Sequence, residues 1–436
     1  MSVIHFQGLE IPPHKQRSSA QPISTIPEPN QFILPLNQHR GSSLIPCVQI
    51  GDHVHQGQVI ATPKDSLEAQ LHAPASGTVT AIELRPSSST IGKEATSIVL
   101  ANDFQGISVS KNPVLNWQVL DSQALCKHLA KGGIVGLGGA AFSLAKKLAS
   151  HAQHTITQLI INGVECEPFI SCDDRLMRQH AVEILQGIQI MLHATQTSRA
   201  TIAIESDKPE AIVAIREALH TLNDPRVDLR VIQSTYPSGD EGQLISKLTG
   251  IELPSGKLPA DIGIIVNNVS TVYACSRWIL QGEPLTLRIV TVTGRAITKP
   301  GNYLLQVGTP IDHVLQHCGA TFTAKQKLIL GGAMMGTALP HSNYSITKST
   351  NCLILSDDQE LQPPSVEQPC IRCGECAQAC PAQLLPQLLL AHSRQGNTAA
   401  LKQLGLYDCI ECGNCDYVCP SHIRLATRFR EAKRIN

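Results

Sequence analysis

Eight of the fifteen cysteines in this 436-residue chain form two copies of one run near its C-terminal end. The first is Cys370, Cys373, Cys376 and Cys380, followed by Pro381; the second is Cys409, Cys412, Cys415 and Cys419, followed by Pro420. Both read C-x2-C-x2-C-x3-C-P, a spacing that wraps the chain around an iron–sulfur cubane. Three thiolates at steps of three residues each reach a different iron, while the fourth starts a helix and points away. The fourth cysteine therefore ligates the other cluster. One cluster is expected on Cys370, Cys373, Cys376 and Cys419, the other on Cys380, Cys409, Cys412 and Cys415. Gly374 and Gly413 leave room for backbone N–H groups near sulfide, and the prolines set the following helix. A pair of zinc knuckles uses CxxC units but explains neither the third cysteine nor the trailing Cys-Pro.

Residues 382–406, between the runs, are mostly helix-forming, with Leu384, Leu385, Leu388, Leu389 and Leu390 clustered near the start. A helical ferredoxin-type domain with two 4Fe-4S clusters is expected over residues 360–436. Its last stretch carries Arg424, Arg428, Arg430, Lys433 and Arg434 against Glu431, which suits either a docking helix or a solvated face. The other seven cysteines are scattered and read as buried small hydrophobes.

The length calls for two to four domains. Thirty-five basic residues balance thirty-five acidic ones, so no global field favours nucleic acid. No apolar run approaches the ~18 residues of a membrane span, and residues 1–10 do not look like a signal peptide. Cysteine-rich sequence without an export signal points to thiolate chemistry in a reducing compartment, the cytosol.

Residues 1–30, rich in Pro, Ser and Gln, read as an extended arm. Residues 31–110 show short strands, and Gly51-Asp-His-Val-His-Gln-Gly with Leu71-His-Ala-Pro-Ala-Ser-Gly resembles the two halves of a biotinyl/lipoyl-type barrel sandwich. The tip between them reads Asp65-Ser-Leu-Glu68 with Lys64 to one side, so a structural or docking module is expected rather than a swinging carrier. Residues 115–270 follow a βαβ-like, Rossmann-like pattern. There the glycine-rich Lys131-Gly-Gly-Ile-Val-Gly-Leu-Gly-Gly-Ala-Ala-Phe142 precedes a helix, an arrangement that suits a phosphate but matches neither a P-loop nor a good G-x-G-x-x-G. Residues 285–335 form a third unit. Its His313, His317 and Cys318 lack a fourth ligand of matching spacing and read as surface or core groups.

With its pieces in this order, the chain resembles the C subunit of the Rnf/Rsx ion-translocating electron-transport complex over nearly its whole length. The resemblance is carried by Gly133-Ile-Val-Gly-Leu-Gly-Gly-Ala-Ala-Phe142, Asn162-Gly-Val-Glu-Cys-Glu-Pro168, Cys172-Asp-Asp-Arg-Leu-Met177, Tyr236-Pro-Ser-Gly-Asp-Glu241 and the double cysteine run. The middle is also similar to the NADH- and FMN-binding flavoprotein subunit of respiratory complex I, and the third unit to a β-grasp SLBB domain.

The resemblance implies roles. Gly136, Gly138 and Gly139 surround the flavin phosphate and ribityl chain, Lys147 lies near the nucleotides, and Phe142 stacks on adenine. Asn162, Glu165 and Glu167 meet flavin and nicotinamide. Tyr236, Gly239, Asp240 and Glu241 form a second flavin-side loop, and Asn267 and Asn268 lie near the isoalloxazine. Glu165, Glu167 and Glu241 are the implied catalytic carboxylates. Against the complex I pattern, Leu137 stands for an arginine, Val164 for an aspartate and Asp240 for a glutamate, while Ser143 replaces a proline common to both families.

The resemblance implies a peripheral subunit on the cytoplasmic side of the bacterial inner membrane, without a transmembrane helix. It would pass electrons between NAD(H), an FMN and two 4Fe-4S clusters as part of an NADH:ferredoxin-type translocase. Its partners would be integral-membrane and other subunits of an Rnf-type complex, with ferredoxin a further candidate. A soluble NADH–flavin oxidoreductase acting alone, and a non-catalytic iron–sulfur wire, are the alternatives.

Overall fold

In the computed structural model, residues 8–89, 92–357, 359–360 and 366–435 are described. The N-terminal arm is extended but not free. It carries one helical turn, α1 (Gln16–Ser19), and a two-residue strand, β1 (Ser24–Thr25). Leu9 exchanges both backbone hydrogen bonds with Tyr236, at 2.9 and 2.8 Å. Arg17 donates to the carbonyls of Gly294 and Ile297, both at 2.8 Å, and the Ser18 hydroxyl meets that of Ser171 at 2.8 Å. Buried polar backbone must find partners somewhere, and here the arm supplies them to two later domains.

The next unit has seven short strands: β2 (Gln31–Pro35), β3 (Ile45–Pro46), β4 (His53–Val54), β5 (Val59–Thr62), β6 (Leu71–His72), β7 (Gly77–Pro86) and β8 (Glu94–Asn102). They form a β2-β8-β7-β4 sheet over a β3-β5-β6 sheet. Phe32, Leu34, Ile60, Leu71, Val79, Ile98 and Leu100 fill the space between, the packing expected of a sandwich. The tip between β5 and β6 is pinned. Asp65 and Glu68 pair with Lys146 at 2.8 and 2.9 Å, and the Ser143 hydroxyl donates to Leu67 O at 2.5 Å. A tip held this way is a docking contact, not a swinging arm.

The Rossmann-like unit runs α2 (Ser122–Lys131), α3 (Leu144–Ala149), β9 (Gln158–Gly163), α4 (Cys172–Gln179), α5 (Ala181–Thr195), β10 (Ala200–Glu205), α6 (Pro209–Leu222), β11 (Val227–Ile232), α7 (Glu241–Thr249), β12 (Ile264–Asn268) and α8 (Val269–Gln281). Its sheet is parallel, in the order β11-β10-β9-β12. Every residue of β10 is buried, as expected for a parallel strand covered on both faces. From β9 the chain builds to one side with β10 and β11, then returns to the other with β12. That reversal opens a crevice at the C-terminal ends of β9 and β12, where Asn162 lies in register with Asn268.

The third unit contains β13 (Leu287–Thr293), β14 (Gly301–Gln306), α9 (Ile311–His317), β15 (Lys327–Leu330), β16 (Thr337–Leu339) and β17 (Cys352–Ser356). Its sheet is β1-β14-β13-β17-β15-β16, so the arm adds the edge strand. The sheet continues past residue 335, the sequence-based limit, because the buried Cys352-Leu-Ile-Leu-Ser356 inserts between β13 and β15. His313 binds Pro27 O at 2.7 Å, while Cys318 is buried in this unit's core.

The last unit is helical: α10 (Glu375–Gln378), α11 (Pro386–Arg394), α12 (Thr398–Gln403), α13 (Asn414–Tyr417) and α14 (Leu425–Ile435). Leu389, Leu390, Leu401, Leu406, Leu425 and Phe429 form its core. The architecture is thus a barrel sandwich, a Rossmann-like domain, a β-grasp domain and a helical cysteine-rich domain, mixing helix and strand. No helix among the described residues is long and apolar enough to cross a membrane.

Candidate functional site

Two small cavities in the helical domain are each lined by four cysteines. Cys370, Cys373, Cys376 and Cys419 face one, and Cys380, Cys409, Cys412 and Cys415 the other. Each cavity therefore takes three cysteines of one run and the last of the other. Gly374 and Gly413, at φ +86° and +80°, make the left-handed turns into α10 and α13, a conformation that costs glycine nothing. Burial holds the Cys376, Cys380 and Cys409 thiols up and pushes Cys412 up to about 12. Iron reverses such shifts by stabilising thiolate, and four soft sulfur ligands per cavity fit an iron–sulfur cluster.

The two cavities differ in access. Cys370 and Cys373 are exposed, whereas Cys412 and Cys415 are buried. The basic helix α14 is tied down beside them. Lys433 donates to Cys409 O at 2.6 Å and meets Glu411 at 3.0 Å, where Arg430 also pairs at 2.9 Å. Arg428 and Arg394 share Glu367. Much of the charge on this helix thus braces the cysteine loops.

The crevice in the Rossmann-like domain gathers most of the other sequence-predicted residues. The glycine-rich loop crosses its mouth: a Cβ on Gly138 would lie 3.3 Å from Asn268 Cβ, and Gly139, at φ +112°, has nothing within 4 Å. Phe142 stands at the rim, 39% exposed. Lys147 and Glu241 pair at 2.6 Å. Asn162 donates to Gly239 O at 2.9 Å, and the Asp240 carboxylate caps α7 by accepting from Gly242 and Gln243. Asn268 caps α8 and donates to Asp173 at 2.6 Å. Asn267 is buried and its amide nitrogen has no partner among the described residues. A buried donor without a partner is the kind of group that a bound ligand satisfies, so these residues fit a flavin.

Two implied carboxylates sit elsewhere. Glu165 is buried against the start of α4, accepting from Asp173 N at 2.8 Å, and Lys15 of the arm donates to its carbonyl. Burial raises its pKa to about 7. Glu167 accepts from the backbone of Met334 and Met335 at 3.1 and 2.9 Å, which fastens a β-grasp loop. Tyr236 reaches further: its hydroxyl donates to Cys412 O at 2.7 Å. Together with the bond from Gln243 to Pro381 O at 3.1 Å, it joins the crevice to the second cysteine cavity.

Lys15, Arg288 and Lys348 are not legible as site residues from the sequence. Arg288 leaves a trace, since it shares a strand face with Val290 and Val292, an odd place for a charge. Lys348 lies in a Ser/Thr-rich stretch that gives no cue.

Known families match each of these units in turn. The RnfC barrel-sandwich hybrid domain matches residues 4–105, the Nuo51 FMN-binding domain residues 129–277, the SLBB domain residues 289–338 and the 4Fe-4S dicluster domain residues 368–423. The C subunit of the ion-translocating oxidoreductase complex of Haemophilus influenzae is 43% identical over 98% of this chain, and that of Pectobacterium carotovorum is likewise 43% identical over 98%. The chain is a homologue of RnfC. This RnfC homologue spans 52% and 56% of those two relatives' own lengths. An NAD+-reducing nickel–iron hydrogenase shares the fold, with a TM-score of 0.50 at 18% identity, covering 76% of this chain and 66% of that one.

Proposed function

We propose that this chain is the electron-input subunit of an Rnf-type ion-translocating complex, exchanging electrons between NAD(H) and partner subunits through FMN and two 4Fe-4S clusters. The observation that carries the reading is the hydrogen bond from Tyr236 to Cys412 O, which makes a nucleotide-type crevice and a buried four-cysteine cavity contiguous. When bound, FMN supplies the means to accept a hydride's two electrons and release them one at a time.

The chain's own residues do the rest. The glycine loop, Asn162 and Asn267 would hold the flavin, and the Lys147–Glu241 pair flanks it. Phe142 offers an exposed ring to a second base. The cavity of Cys380, Cys409, Cys412 and Cys415 is proximal to the crevice. The exposed Cys370 and Cys373 put the other cavity at the surface, where a partner can approach. Peripheral attachment on the cytoplasmic side of the inner membrane and exchange with a ferredoxin belong to the same reading.

Anaerobic titration of the purified chain with NADH tests it. Bleaching of flavin and iron–sulfur absorbance together is the expected result. Iron without flavin, unmoved by NADH, would instead make the chain an electron wire.

A further inference from the structure

Two cations stand behind the glycine loop, both from the β-grasp domain. Arg288, 2% exposed, donates to Leu137 O at 3.1 Å and to Thr350 O at 3.1 Å. Lys348, 1% exposed, donates to Gly133 O at 2.8 Å and to Gln70 O at 2.6 Å. Neither has a carboxylate within ion-pair distance among the described residues, and the nearby Asp173 carboxylate is already held by Asn268 and Ser270. Burying a charge without a carboxylate partner is costly in general and favours the neutral form, and an anion bound in front of the loop would offset that cost for both groups.

The backbone says where that anion sits. Across a trans peptide, the carbonyl of one residue and the N–H of the next point in opposite directions. Arg288 draws Leu137 O to the back of the loop, which turns the Gly138 N–H to the open side. The N–H groups of Gly138, Gly139 and Ala140 make no hydrogen bond among the described residues, and successive free N–H groups form an anion-binding concavity. The buried Asn267 amide is likewise unpartnered.

We propose that Arg288 and Lys348 are positioning residues for the cofactor's phosphate. They fix the glycine loop by its carbonyls and supply the positive charge that the bound anion balances. This rests on the flavin reading above and adds the β-grasp domain to the cofactor site. Lys348 also ties the barrel sandwich, through Gln70, to the same loop.

The test compares FMN with riboflavin, which lacks the phosphate, by fluorescence titration of the flavin-depleted, cluster-loaded full chain. Arg288→Met and Lys348→Met should each weaken FMN binding on the order of tenfold and leave riboflavin binding and iron content unchanged. Lys348→Arg should restore FMN preference. Equal weakening of both flavins, or of neither, would overturn the proposal. Should the methionine variants fail to fold, the wild-type chain decides. Raising salt from 0.1 M to 1 M shortens the Debye length from about 10 Å to about 3 Å, yet buried charges are poorly screened. The wild-type preference for FMN should therefore survive 1 M salt, and its collapse to parity overturns the proposal. A wild-type chain that binds neither flavin sinks the flavin reading itself, a result distinct from variants that bind FMN as well as wild type.

Discussion

Tyr236 sets its phenol oxygen 2.7 Å from Cys412 O while being almost fully buried. Tyr236→Phe keeps the ring and orphans the carbonyl, so about 1–3 kcal/mol should be lost. Iron content should hold while NADH-driven cluster reduction slows several-fold in stopped-flow absorbance; an unchanged rate would remove Tyr236 from the electron path. Lys348 gives a second prediction through pH. Burial lowers its pKa from 10.5 to about 7, so between those values the unfolded chain binds more protons than the folded one. This group's contribution therefore strengthens as pH rises from 7 toward 10.5 and is at its worst below 7. Unfolding free energies of the flavin-depleted chain from denaturant titration at pH 7, 8 and 9 should rise more steeply in wild type than in Lys348→Met, by up to about 1.4 kcal/mol per pH unit. Parallel slopes would mean that Lys348 keeps its proton in the folded flavin-depleted chain and is not shifted by its burial.

Among the elements, the arm is tied to the rest of the chain at many points along a short length. Removing residues 1–20 deletes the Leu9–Tyr236 pair, both Arg17 bonds, the Ser18–Ser171 contact and the Lys15 bond to Glu165. At about 1 kcal/mol for each typical bond, the loss is on the order of 6 kcal/mol. Calorimetry should show it, together with faster amide exchange in β9 and β13; a truncated chain that melts with wild type would contradict this account. The arm also shows why some elements can be read from sequence and others cannot. The cysteine runs encode ligand geometry locally, and the glycine-rich stretch before α3 marks a helix start without help from elsewhere. β1 has two exposed polar residues, Ser24 and Thr25, and becomes a strand only because Tyr303 and Leu304 lie beside it. β17 lies beyond residue 335, the limit read from the sequence, though its place in the sheet is central. Glu167 looks like a cleft carboxylate because its neighbours on the chain are, but its partners, Met334 and Met335, come from another domain.

Across the whole molecule the domains meet at one line: crevice, second cysteine cavity, first cysteine cavity, surface. The β-grasp loop that Glu167 fastens also touches this line, since a Cβ on Gly413 would come 3.2 Å from Met334 O. The cavity holding Cys412 is thus braced by Tyr236 on one side and Met334 on the other, whereas nothing comparable among the described residues joins the crevice to exposed Cys370 and Cys373. The order has a consequence for ligand variants. Cys412→Ser, which damages the proximal site, should leave the cluster on Cys370, Cys373, Cys376 and Cys419 assembled but no longer reducible by NADH. Cys373→Ser should leave NADH reduction of the proximal cluster intact. Because the last cysteine of each run faces the other run's cavity, Cys380→Ser should behave like Cys412→Ser and not like Cys373→Ser. Electron paramagnetic resonance of NADH- and dithionite-reduced variants separates these outcomes, because dithionite reports which clusters exist and NADH reports which are reached. If NADH reduced the surface cluster as readily in Cys412→Ser as in wild type, electrons would be bypassing the proximal cavity. The Tyr236–Cys412 contact would then be a domain brace and not part of their route.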